Sequence, residues 1–439
     1  MIDIAVKAVM DKLPVAELRQ SLDTFLRPVY AMLPDRRLNK VVALSVGGII
    51  GSESPVVTQM AQSVARTESG VWAAAKQMYR LLGNERVAVA EISQGLYDLS
   101  QARVEEAAPA YVVVALDPVN FEKPYTTKLA GVSTVHKSTP PQLNGKARLT
   151  RGYPAITATV VNTPVPAVTY AHWFSYTAEF ISENWEITQA ITATNQLLAK
   201  TKRRYVGDAG LDDQKLFARL SQDEFVIRAS HLERLVEVYN DRLDGWELEH
   251  LQDLVDTLPF SHTFKVTFTH ARKDRRATIH IGWLALRLPD THQRLWAIVA
   301  YEPAIDRTLV LLTNVPLVTS ADVRQVYDDW RLRARIEHGY RFAQEQGLDV
   351  EDMRVQSLQA MQRLFILVLV AAQFVFYLMD TWPPRAVLWV RDLGGKLGLA
   401  NDLDGPYLVL RGLKALIQTV VTLTLLSISP FPHHDFTCG

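Results

Sequence analysis

The chain has 439 residues, 48% of them hydrophobic and 21% charged, which excludes disordered and fibrous classes and leaves room for about two to four folded domains. Lys+Arg and Asp+Glu are both 47, so overall charge neither supports nor excludes a polyanionic partner, and any nucleic-acid contact must come from local basic clusters. The single cysteine, Cys438, excludes an intrachain disulfide and a thiolate zinc site and points to a reducing, cytoplasmic setting.

Residues 1–105 read as mostly helical. The first twelve carry acids inside an apolar run, so they are not expected to be a secretory signal. Gly47-Gly48 and the stretch from Gly51 to Pro55 are expected to break two shorter helices. Residues 71–82 place Trp72, Met78, Tyr79 and Leu82 at helical offsets, with Gly83-Asn84 as a stop. On that helix Lys76 and Arg80, spaced i, i+4, are candidate DNA contacts of a helix-turn-helix-like reader; a generic helical bundle is the alternative.

The texture changes at Tyr111. The run Tyr-Val-Val-Val-Ala-Leu (111–116) reads as a strand ending at Asp117, followed by a polar loop through Pro141. Two β-forming runs (155–161 and 165–174) precede a helix of roughly residues 177–200. A strand then closes on Asp208, and a short helix leads to a fifth strand over 225–228. Three strands, helix, strand, helix, strand is the order of a ribonuclease H-like α/β core, here 106–230. Between 231 and 318 four runs (263–270, 277–282, 295–300, 308–313) read as a β-rich antiparallel insertion. The core is expected to resume over 319–380 and to be followed by a helical C-terminal region, 381–439. Within it, Leu364–Met379 is apolar except for Gln373; it falls short of the about 20 residues a spanning helix needs and reads as a buried core helix, with no membrane partner.

Three acids stand in distinctive settings: Asp117 and Asp208 at strand ends, and Glu337 in a helical stretch, 330–344. Parallel neighbouring strands present their C-terminal ends to one crevice. On a continuous helix Trp330, Arg333, Glu337, Arg341 and Gln344 would share one stripe, with Leu332, Ile336, Tyr340 and Ala343 on an apolar stripe beside it. Hard divalent cations prefer carboxylate oxygens, and two ions can clamp the attacking and leaving oxygens of a phosphodiester. Each acid also has a bland reading. The aspartates suit turns or caps, and Glu337 suits an ion pair with Arg333 or Arg341. Glu122, Asp212, Asp213, Asp328 and Asp329 are acidic neighbours that could be mistaken for members of the set.

Taken together, Val114-Ala-Leu-Asp117, Tyr205-Val-Gly-Asp-Ala-Gly210 and Arg333-Ala-Arg-Ile-Glu337 resemble the bacterial insertion-sequence transposases of the DDE type, in the subgroup with a Y-R-E-K signature. Arg333 and Glu337 take the arginine and glutamate places; Trp330 stands at the tyrosine place and Gln344 at the lysine place. The resemblance implies two magnesium ions, replaceable by manganese, held by Asp117, Asp208 and Glu337. It also implies cut-and-paste transposition through a DNA hairpin, double-stranded DNA as partner, and a dimer on DNA in a bacterial cytoplasm. Trp330, Arg333 and Arg341 would then contact DNA, with Gln344 in the place of a phosphate-binding lysine. A catalytically inactive, transposase-derived DNA-binding or regulatory protein is the alternative, and a nuclease without strand transfer is the nearest enzymatic rival.

Overall fold

A computed structural model of the chain describes residues 13–395 and 405–428, apart from 66, 125, 127, 138–148, 178–179, 271–272, 337–341 and 343–346. It begins with helices α1 (Val15–Phe25), α2 (Arg27–Ala31), α3 (Arg37–Ser52), α4 (Val57–Val64), α5 (Glu68–Leu82) and α6 (Val89–Ala107). The hydroxyl of Thr67 caps α5 by accepting from the Gly70 amide at 3.1 Å. Contrary to the sequence expectation, α3 runs unbroken through Gly47-Gly48. A Cβ on Gly48 would lie 2.9 Å from the Met60 Cβ, so this glycine allows α3 and α4 to touch and does not end the helix. The chain turns at Glu53, which is left-handed (φ 54°).

Strands β1 (Val112–Glu122), β2 (Ser133–His136), β3 (Leu149–Val160) and β4 (Ala167–Trp173) follow, then α7 (Glu183–Leu197), β5 (Arg203–Gly207), α8 (Gln214–Arg219) and β6 (Glu224–Arg228). β2 lies in the stretch expected to be loop; its short register on β3 is a long-range pairing that local patterning does not display. β1 is antiparallel to β3 and parallel to β5, and β5 is parallel to β6. The spatial order is therefore β4-β3-β1-β5-β6.

The β-rich segment holds β7 (Leu235–Asn240), β8 (Gly245–His250), α9 (Leu251–Thr257), β9 (His262–His270), β10 (Lys273–Arg287), β11 (Arg294–Glu302) and β12 (Arg307–Thr313). β12 pairs antiparallel with β6, with Leu311 opposite Arg228 and Thr313 opposite Val226. The segment thus extends the same sheet, which has 12 strands among the described residues. Helices α10 (Ser320–Arg331), α11 (Leu358–Thr381), α12 (Pro384–Gly394) and α13 (Gly405–Ile428) complete a mixed α/β fold.

Both faces of the sheet are covered, and β1 shows why its sequence is continuously apolar. Val113 and Ala115 enter one buried cluster, with α3, α5 and α11; Val112, Val114 and Leu116 enter the other, with α7, α8 and α9. α11 is the main strut of the first cluster. By length and composition it could cross a membrane, as could Gly405–Thr424 of α13, but 72% of its most apolar window is buried against the rest of the chain. Its polar members are also satisfied internally. Arg363 donates to the carbonyls of Leu82 (2.6 Å) and Val87 (2.7 Å), capping the end of α5, and Gln373 accepts from Arg103 at 2.7 Å.

Candidate functional site

The parallel pairing of β1 with β5 runs from Val112↔Arg203 to Ala115↔Val206, a constant offset of 203 − 112 = 91. Since 208 − 117 is also 91, Asp117 and Asp208 continue that register just past its end. The position of Asp117 is a correction: β1 does not stop there but continues to Glu122, with Asp117 opposite Thr157 of β3. What ends is the contact with β5. Gly207 closes that strand and Asp208 begins a 3-10 turn over Ala209–Leu211, so a crevice opens between the two strands with a carboxylate on each side.

Arginine 333 reaches into this crevice. Its guanidinium lies 3.8 Å from Asp117 Oδ1 and 3.5 Å from Asp208 Oδ2. Arg228 approaches Asp208 Oδ1 at 3.4 Å. Nothing in its own segment singles out Arg228, yet the β5–β6 register has an offset of 224 − 204 = 20, which sets Arg228 beside Asp208. Its position at the end of the fifth strand is the one signal the sequence offers. Asp117 and Arg333 are mostly covered, whereas the Asp208 side chain is 41% exposed.

How Arg333 gets there differs from the expected continuous helix over 330–344. α10 starts at Ser320 and stops at Arg331; the amides of Arg333, Arg335 and Ile336 then bond to carbonyls three residues back, in a tight turn. The single stripe drawn from Trp330 through Gln344 therefore does not apply across 331–333. Tertiary anchors on either side accompany the break. The Trp330 indole N–H donates to Gly207 O at 3.0 Å, and Arg335 donates to the carbonyls of Val161, Thr163 and Pro164. Glu337, Arg341 and Gln344 lie outside the described residues.

The acidic neighbours have structural duties. Buried Asp329 accepts from the Tyr111 hydroxyl (2.8 Å), from Gln325 (3.1 Å) and from Arg204, which also binds Glu224 at 2.7 Å. Burial, reinforced by Asp329, pushes the Tyr111 hydroxyl up to about 12. Burial works against the Arg204 charge, but Glu224 and Asp329 outweigh it and hold the guanidinium above its ordinary value. This network fixes α10 to the start of β1 and β5. Asp328 pairs with Arg324 and Arg331, Asp212 with Arg234, and Asp213 caps α8.

Among the described residues no group of three or more His, Cys, Asp or Glu is placed to hold a metal ion. The pair Asp117–Asp208 nevertheless fits a hard divalent cation in two respects. Its donors are carboxylate oxygens, and a positive group, the Arg333 guanidinium, already stands against both. Elsewhere, Lys76 and Arg80 are exposed on α5 beside two outward aromatics, Trp72 (59%) and Tyr79 (48%), while Met78 and Leu82 face the core.

No protein-family model matches the chain, and no curated protein matches it in sequence. Among solved structures it is similar to a piggyBac transposase in a synaptic complex with hairpin DNA, at 8% identity over 90% of this chain and 74% of that one, with a TM-score of 0.40. That likeness is too remote to bear on activity.

Proposed function

We propose that the chain is a DNA transposase that cuts the ends of a mobile element and joins them to target DNA by divalent-metal-dependent phosphoryl transfer. The observation that carries this reading is the common register of Asp117 and Asp208, which sets two carboxylates across one crevice although 91 residues separate them. The order β4-β3-β1-β5-β6, with β3 antiparallel and β1, β5 and β6 parallel, supports a ribonuclease H-like core around them.

Asp117 and Asp208 would hold magnesium or manganese, with Glu337 as the third donor. When bound, the ions would make a water or hydroxyl oxygen more acidic and offset charge on the reacting phosphate. Arg228 and Arg333 suit the phosphate groups beside the cut, since guanidinium matches their oxygens in a fork. Water would first release a 3′-hydroxyl; that oxygen would then attack the opposite strand, closing a hairpin and expelling the 3′-oxygen of the flanking DNA, and a second water would reopen the hairpin to regenerate the 3′-hydroxyl that attacks the target strand. Trp330, held by its ring N–H, offers an aromatic face for an unstacked base. The exposed face of α5 with Lys76 and Arg80 serves the duplex end in the helical segment 1–105, and a dimer on DNA would bring two ends together.

The test is incubation of the purified chain with DNA carrying the sequences that flank its gene, with Mg²⁺ or Mn²⁺. Cleaved and joined products are expected from the wild type, and none from Asp117→Asn or Asp208→Asn, both of which should still bind DNA. Cleavage by Asp208→Asn at the wild-type rate would refute the site. Cleavage without joining would make the protein a nuclease, and binding without cleavage would favour an inactive, DNA-binding descendant of a transposase.

A further inference from the structure

Most buried aspartates here meet their arginines closely: Arg203–Asp223 at 2.8 Å and Arg234–Asp212 at 2.5 Å. Arg333 behaves differently. It spans two carboxylates, at 3.8 and 3.5 Å, both longer than the about 2.7–2.9 Å of a charge-assisted hydrogen bond. A divalent ion sits about 2.0–2.6 Å from carboxylate oxygens and carries twice the charge. The same pair of oxygens cannot serve both cations at once, because a guanidinium a few ångströms from the ion would be strongly repelled.

We infer that Arg333 is an exchangeable internal cation: it holds Asp117 and Asp208 together until a divalent ion binds, is displaced by that ion, and is thereby freed for a DNA phosphate. The inference rests on the reading that the two aspartates hold a divalent ion. The backbone around Arg333 is suited to such an exchange. Trp330 and Arg335 are anchored on either side to Gly207 and to the 161–164 loop, so a side-chain rotation suffices and α10 need not move. Arg228, 3.4 Å from Asp208 Oδ1 on β6, faces the same repulsion on one carboxylate only and would turn with Arg333 toward the phosphates, whereas Arg333 is the cation that bridges both aspartates.

Calorimetric titration of the full chain with Mn²⁺, without DNA, tests the exchange. Removing a cation that competes at this distance, in Arg333→Gln, should tighten Mn²⁺ binding by about tenfold, with Arg333→Lys in between. Thermal unfolding supplies the second readout: Arg333→Gln should melt earlier than wild type without metal and regain more on adding Mn²⁺. If that variant does not fold in either condition, Arg333→Lys decides, since it should still bind Mn²⁺ more tightly than wild type. Unchanged or weaker binding in the Arg333 variants, with Asp208→Asn still weakening it, overturns the exchange alone. If neither Asp117→Asn nor Asp208→Asn binds Mn²⁺ differently from the wild type, the assignment of a divalent ion to this crevice fails as well.

Discussion

The indole N–H of Trp330 is bonded to the carbonyl oxygen of Gly207, the residue directly before Asp208, at 3.0 Å. The last turn of α10 thus holds both the backbone beneath one carboxylate and an aromatic ring beside it. Trp330→Phe keeps a ring but loses the bond, and should cost about 1 kcal/mol of stability while retaining hairpin formation. Trp330→Ala should slow hairpin closure more than first-strand nicking, read from end-labelled products on denaturing gels. Equal losses at both steps would count against the base-stacking role.

Asp329 is predicted to matter for folding, not chemistry. It is 3% exposed and joins Arg204, Tyr111 and Gln325. Asp329→Ala leaves the buried Arg204 with Glu224 as its one carboxylate partner among the described residues and should destabilise the chain by about 3 kcal/mol in urea denaturation. A change below about 0.5 kcal/mol, the range of ordinary surface substitutions, would mean that the network does not hold α10 in place.

Charge reversal on α5 probes the proposed duplex contact. The double variant Lys76→Glu/Arg80→Glu should weaken DNA binding and lower the slope of log affinity against log salt by about 2, one unit for each phosphate no longer neutralised. An unchanged slope in fluorescence anisotropy would remove this helix face from the interface.

Lys123 gives a pH signature. It is 7% exposed, its ammonium bonds to the carbonyls of Glu351 and Met353, and burial lowers it from 10.5 to about 8. Below that value the lysine is protonated in folded and unfolded chains alike. Between about 8 and 10.5 the unfolded state binds more protons, so this group makes stability rise with pH. Relative to Lys123→Met, the wild type should gain roughly 1–2 kcal/mol between pH 7 and 9.5, measured by denaturant titration at both values. A parallel pair of curves would show that the lysine stays protonated in the fold.

Short-range patterning in the sequence displays part of this architecture. The apolar run of 112–116 marks a strand buried on both faces, but Asp117 and Asp208 are brought together by the parallel register of β1 with β5 and not by a strand end, since β1 runs on to Glu122. Local patterning misleads where a residue's job is set from afar. Gly48 looks like a helix breaker in isolation, but its missing Cβ is demanded by Met60 twelve residues on. The stretch after Trp330 has helical periodicity, yet the chain turns at 332–333, where side chains on either side bind carbonyls at Gly207 and 161–164. Arg228 is inconspicuous because its place beside Asp208 is fixed by parallel pairing, which leaves no mark in either segment alone. Glu337, Arg341 and Gln344 fall outside the described residues, so their share of the site is a sequence expectation.

Strand β12 closes the flank of β6, the strand that carries Arg228. Excising residues 231–318 would therefore do more than trim an accessory. It would bare a row of backbone donors and acceptors next to the crevice, a template for unwanted pairing with another molecule. Any shortened version of this protein has to supply a substitute strand there, which makes the segment an obligatory guard of the sheet that carries both aspartates.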